Sequence, residues 1–278
     1  MGRTIVAGVD GSARSGAAAD WAAREALRRG LQMQVVHVSG PSVEDLPEPW
    51  RYLPEERPGR TAAELTSHTA ELAVDEIRVE GEPAPELLAL GGSAELLVLG
   101  MRGAGGFAGL AVGSVARTVA ERSARPVVLV PGGPACTGTG WRTDKVAIGI
   151  DARQPDDAAI DFAFDRASHL NARLRAVHAW KMPEPNAALP LFAAPDKGRA
   201  AREDDEVRLL SDALRPWREK YPRVRVLEDV VLFGVGEALV RASGRAELLV
   251  AGRRGNRLGS ALNRLVEHAG CPVAVVPV

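Results

Sequence analysis

Cysteine is nearly absent from this chain: its 278 residues hold only Cys136 and Cys271. Two such distant cysteines make neither a disulfide framework nor a metal-ligand spacing, and they fit a reducing compartment. An excess of one charge is missing too, with 35 Lys and Arg against 36 Asp and Glu. A dedicated nucleic-acid binder usually carries a basic excess, so no nucleic-acid partner is expected. No apolar run approaches the ~18 residues of a membrane span, so no membrane partner is expected either. The opening "MGRTIVAGVDGS" enters a strand pattern without the apolar stretch of a signal peptide. The expectation is a cytoplasmic protein. Aromatic residues make up 4%, and Trp21, Trp50, Trp141, Trp180 and Trp217 are scattered as packing residues would be. Histidine is sparse, and His37, His68, His169, His178 and His268 form no metal-ligand cluster with Cys or carboxylates. His37 and His178, near the end of equivalent strands, read as partly buried strand histidines. No nucleophile–base pair is visible either.

What the chain does contain is itself, twice. "TIVAGVDGS" (4–12) returns as "KVAIGIDAR" (145–153), and "MQVVHV" (33–38) returns as "LRAVHAW" (174–180). "AELLVLGMRG" (94–103) returns as "AELLVAGRRG" (246–255), and "RPVVLVP" (125–131) as "CPVAVVP" (271–277). Four matches in the same order mark an internal duplication. The Gly/Pro/Thr-rich "PGGPACTGTGW" (131–141) between the copies reads as a linker. The expected domains are 1–132 and 143–278. Within each copy, short apolar runs alternate with helical patterns. Ala19, Ala22, Ala23, Ala26 and Leu27 share one helix face, as do Ile160, Ala163, Phe164 and Ala167 in the second copy. Strand runs that are nearly all apolar suit a parallel sheet covered on both sides. The fold class is therefore α/β, with two doubly wound domains of about five strands each. The Pro-rich stretches 40–60 and 181–201 read as surface loops, and "REDDEVR" (202–208) as an exposed helix face.

The first copy carries a glycine-rich loop, "GMRGAGGFAGLAVGS" (100–114), between a strand and a helix. In an open α/β sheet, ligands bind beyond the carboxyl ends of the strands, where this loop sits. Glycines let backbone N–H groups approach a ligand. Ser114 stands where the N-cap of the next helix is expected, and a helix N-terminus attracts phosphate. Arg102 adds positive charge. Asp10 ends the first strand and faces the same crevice, either as an acceptor for ribose hydroxyls or a base amine, or as the N-cap of the first helix. No G-x-x-x-x-G-K-[ST] loop occurs. Gly103, Gly105 and Ala108 fit only a relaxed G-x-G-x-x-[GA] pattern, in the wrong βα turn for a dinucleotide site.

The spacing Gly100-x2-Gly103-x9-Gly113-Ser114 resembles the G-x2-G-x9-G-[ST] motif of ATP-binding universal stress proteins. "GVDGS", "VVHV" and "RPVVLVP" are similar to that family as well, and the resemblance spans both copies. It implies a five-stranded parallel sheet of order 3-2-1-4-5 between helices in each copy. It implies ATP, with or without magnesium, as the ligand. By this resemblance Gly8 and Val9 belong to the nucleotide site, Asp10 contacts the adenosine part, and Val38 lines the adenine pocket. Leu99, Gly100, Arg102 and Gly103 line the ribose and phosphate path, and Gly113, Ser114 and Val115 hold the phosphates. In that family the fifth strands of two domains pair, so the two copies are expected to dock as an intramolecular pseudo-dimer; a homodimer stays open. The implied role is nucleotide-dependent stress or signalling regulation, with at most weak ATP hydrolysis. An adenine-nucleotide enzyme and a partner-binding module without ligand remain alternatives. The second copy departs from the motif: three residues separate Gly255 from Gly259, where nine separate Gly103 from Gly113. ATP is therefore expected mainly in the first copy.

Overall fold

A computed structural model describes residues 4–40, 72–103, 112–132, 145–182 and 195–278. The first half contains β1 (Thr4–Val9), α1 (Ala13–Arg29), β2 (Gln32–Ser39), β3 (Val74–Glu80), α2 (Pro83–Gly91), β4 (Leu96–Gly100), α3 (Ser114–Arg122) and β5 (Val127–Val130). The second contains β6 (Lys145–Gly149), α4 (Asp157–His169), β7 (Arg173–Trp180), α5 (Pro195–Lys220), β8 (Val226–Leu232), α6 (Val235–Ser243), β9 (Leu248–Arg253), α7 (Ser260–His268) and β10 (Val273–Pro277). The linker beyond Gly132, most of the 40–60 stretch, and Gly105 and Ala108 lie outside the described residues.

The strands form one ten-stranded sheet in the order β3-β2-β1-β4-β5-β10-β9-β6-β7-β8. Each half keeps the order 3-2-1-4-5, and all pairings within a half are parallel. The halves join through antiparallel pairing of β5 with β10, centred on Val128 opposite Ala274. Apolar side chains alternate between the two sheet faces, so the runs are apolar throughout because both faces are covered. Ile5, Ala7 and Val98 pack with the alanines of α1, with Ile160 and Phe164 of α4 and with Leu210 and Leu214 of α5. Val6, Leu97 and Leu99 pack with Leu87 of α2, Val119 of α3, Leu239 of α6 and Leu265 of α7.

The halves differ most where β1 and β6 hand over to a helix. Gly11 takes the left-handed conformation (φ 83°), and Ser12 then caps α1, its side chain accepting from Ser15 N–H. The second half has Ala152 and Arg153 at these places. Ala152 lacks that freedom and Arg153 lacks the capping hydroxyl, so α4 starts only at Asp157, with Asp156 as an N-cap that makes no side-chain cap bond. At the other end of these helices the copies agree in conformation. Gly30 (φ 62°) and Asn171 (φ 48°) occupy the same repeat position and both are left-handed. Leu31 N–H then bonds Ala26 O, and Ala172 N–H bonds Ala167 O, each at 2.9 Å. Asn171→Ala should lower stability by about 1–2 kcal/mol, the left-handed penalty of a residue with Cβ and no local hydrogen bond; denaturant unfolding measures it.

Two expectations need correction. The stretch 181–201 is not loop throughout, because α5 begins at Pro195. The 202–208 run is a helix face with most of its charges exposed, but Glu206 is buried. It turns inward to meet His178 Nε2 at 3.0 Å and to take an ion pair from Arg153.

Candidate functional site

The carboxyl ends of β1, β2 and β4 open into a crevice closed by the start of α3. Gly8, Val9, Asp10, Val38, Leu99, Gly100, Arg102, Gly103, Gly113, Ser114 and Val115 all line this one cavity of about 410 Å³. Sequence reasoning missed Ser15, Val36, Pro83, Leu87, Val112 and Ala116, which line it too. Val36 was within reach, since it shares a strand face with Val38 two residues on. Leu87 comes from a helix whose pattern carries no ligand signal.

Chemically the cavity has two ends. Val36, Val38, Leu87 and Leu99 form an apolar slot. At the other end stand Asp10, Arg102 and the first turn of α3. Gly113, not Ser114, is the N-cap, with extended backbone (φ −71°, ψ 156°) and no side-chain cap bond; Ser114 is already helical. The first intrahelical bond runs from Arg117 N–H to Gly113 O at 3.0 Å. The N–H groups of Ser114, Val115 and Ala116 precede that bond, at the positive end of the helix dipole.

Asp10 is not the helix cap either, because Ser12 takes that place. Asp10 Oδ1 instead accepts from Ser12 N–H at 3.0 Å, and Asp10 N–H donates to Ser15 Oγ at 3.2 Å. These bonds fix the carboxylate over the Gly103 turn. A Cβ at Gly103 would overlap Asp10 Oδ2, so this glycine is what lets the loop pass the carboxylate. A Cβ at Gly8 would likewise strike Leu99 in the apolar slot. His37 is half-buried, its Nδ1 3.0 Å from Val9 O, which makes it a strand-end fastening rather than a cavity base.

The matching crevice of the second half, about 470 Å³, is built differently. Asp151 repeats the turn of Asp10, accepting from Arg153 N–H at 3.1 Å. The delayed start of α4, however, drops the Asp156 carboxylate against Gly252, where a Cβ would overlap it. Arg254, at the repeat position of Arg102, holds that carboxylate at 2.9 Å and also bonds Gln154. An anchored carboxylate thus lines the same crevice as Gly259 and the first turn of α7. Among the described residues, no group of three or more His, Cys, Asp or Glu side chains could hold a metal ion, and no helix is long and apolar enough to cross a membrane.

The model of the universal stress protein family matches residues 1–131 and again 142–277. The chain belongs to the universal stress protein family. A universal stress protein of Mycobacterium tuberculosis is 32% identical over 290 residues, covering 98% of this chain and 96% of that relative. One from Mycolicibacterium smegmatis is 31% identical over 294 residues, with 98% and 96% covered. The crystal structure of a universal stress protein from Archaeoglobus fulgidus shares the fold across 99% of this chain and 96% of its own, with a TM-score of 0.69 and 17% identity. The tandem arrangement is thus a property of whole relatives, and both halves are universal stress protein repeats.

Proposed function

We propose that this universal stress protein is a cytoplasmic regulator whose N-terminal half, residues 1–132, binds ATP, and that nucleotide occupancy is its switch. The observation that supports this most is the union, in one cavity, of an apolar slot, a fixed carboxylate and a helix N-terminus. The slot formed by Val36, Val38, Leu87 and Leu99 suits a flat base. Asp10 suits ribose hydroxyls, and the N–H groups of Ser114, Val115 and Ala116 suit phosphate oxygens. A magnesium ion accompanying the phosphates would take its ligands mainly from phosphate oxygens and water. Among the described residues no nucleophile–base pair lines the cavity, and binding is the proposed activity. The partner that reads the switch would meet the crevice rim.

Asp10 supplies the test. Asp10→Ala should weaken ATP binding by about 1.5–3 kcal/mol, the range for a hydrogen bond to a charged group. Asp10→Asn retains an acceptor for Ser12 N–H and should melt like the parent while still losing affinity. Calorimetric titration beside thermal melts separates the two effects. Parent-like affinity in both variants would remove the carboxylate from the site, and a parent that takes up no nucleotide would end the reading altogether.

A further inference from the structure

The duplication places a twofold pseudo-axis through the middle of the sheet, and residues on that axis meet their own repeat equivalents. Val128 faces Ala274 there, each being the second residue of its β5 or β10 run. On the α1/α4 face of the sheet, Glu25 meets Arg166, and the two lie 141 positions apart, the same offset as Asp10 and Asp151. On the opposite face, Arg117 donates to Asn263 Oδ1 at 3.0 Å; these are the fourth residues of α3 and α7. A symmetric pair of like halves would therefore bring each of these residues against a copy of itself.

The consequences are unequal in strength. Glu25 and Arg166 side chains are each only 1% exposed. Glu25 Oε1 is taken by Arg29 Nε at 2.6 Å, and Glu25 Oε2 faces Arg166. Among the described residues, Arg166 otherwise reaches Glu247, at 3.7 Å, and the ring of Trp21, 5.7 Å from its centroid. In a pair of two N-terminal halves, the two Glu25 Oε2 atoms would face each other, buried and without a donor. In a pair of two C-terminal halves, two buried Arg166 guanidinium groups would meet. Arg117 would also face Arg117 in the first case, at a more exposed and weaker site. A buried like-charge contact is a strong penalty, and penalties against the wrong partner are how an interface acquires specificity.

We infer that the seam between the halves is charge-coded, so that each half accepts only the complementary half and rejects its own kind. The partner this surface fits is the other repeat, carrying the opposite charge at the axis. The same code directs any exchange between two chains into mixed pairs, one N-terminal half with one C-terminal half. It keeps the apolar β5 and β10 edges from recruiting like edges of other copies.

The test uses the full chain with a protease site placed in the linker, between residues 133 and 141. After cleavage, the protein is unfolded in denaturant, refolded and weighed by native mass spectrometry, which separates the three possible pairs by mass. The parent should return mixed pairs only. The variant E25L/R166L/R117N removes the like-charge penalty while keeping the axis filled. In it, like pairs should rise by roughly tenfold or more, each tenfold reflecting about 1.4 kcal/mol of lost discrimination. Like pairs from the parent, exclusively mixed pairs from the triple variant, or unpaired halves from either protein would overturn the inference.

Discussion

Glu25→Leu should destabilise the chain by about 3–5 kcal/mol, while E25L/R166L should be close to neutral or more stable than the parent. The single change leaves the Arg166 guanidinium buried without its nearest carboxylate. Burial already lowers the Arg166 pKa below its ordinary value, with Glu25 and then Glu247 working against that shift. Removing Glu25 removes the larger of these two supports. The double change removes charge from both sides of the contact and leaves Arg29, which Glu25 also held, to its other carboxylates Glu95 and Asp165. None of the Arg166 nitrogens makes an aligned hydrogen bond, so the ion pair recovers its desolvation cost incompletely. Two leucines of fitting volume would pay no such cost. Denaturant unfolding of the two single variants and the double variant gives the coupling directly. A double variant as unstable as Glu25→Leu would mean that the charges stabilise the seam outright, and pairing selectivity would then be a by-product.

The same pair marks how far the sequence could be read. The duplication and the strand runs were legible because they rest on local patterns repeated twice, and the first-half crevice because its glycine spacing is local to one loop. The cavity gathers all the residues the motif pointed to, since strand ends in a parallel sheet converge in space wherever they fall in sequence. The helix cap was misassigned for a local reason. Serine is a preferred cap, but the extended backbone falls on Gly113, and Ser114 enters the helix. Glu25 left a trace that composition hides: it lies three residues after Ala22 and one before Ala26, both on the buried face of α1. A charge on that face, with the opposite charge at the same repeat position, is the signature of an axial contact. Glu206 left no such trace. Its burial depends on where α5 lands against β7, which no local pattern records.

The delayed start of α4 leads to the remaining prediction: the parent chain should hold one tightly bound ATP, in its N-terminal half. There, Gly113 stands between the Met101–Gly103 turn and α3. A Cβ on it would lie 3.6 Å from Met101 O and 3.7 Å from Gly103 N, which is ordinary contact. Gly113→Val should therefore fold, but its two further methyl groups would enter the path to the Ser114 and Val115 N–H groups. Losing two charge-assisted hydrogen bonds at about 1.5–3 kcal/mol each amounts to roughly a hundredfold in affinity or more. Gly103→Ala should act from the other side by displacing the Asp10 carboxylate. In the C-terminal half the loop has less reach, and the Asp156–Arg254 pair occupies the crevice, engaging the arginine that stands at the repeat position of Arg102. A Cβ at Gly259 meets nothing within 4 Å, so Gly259→Val should leave both fold and ATP binding as they are. Calorimetric titration of the parent and the three variants reads out stoichiometry and affinity together. Two equivalent sites in the parent, or loss of tight binding only in Gly259→Val, would show that the anchored carboxylate and the short loop do not close the second crevice to phosphate.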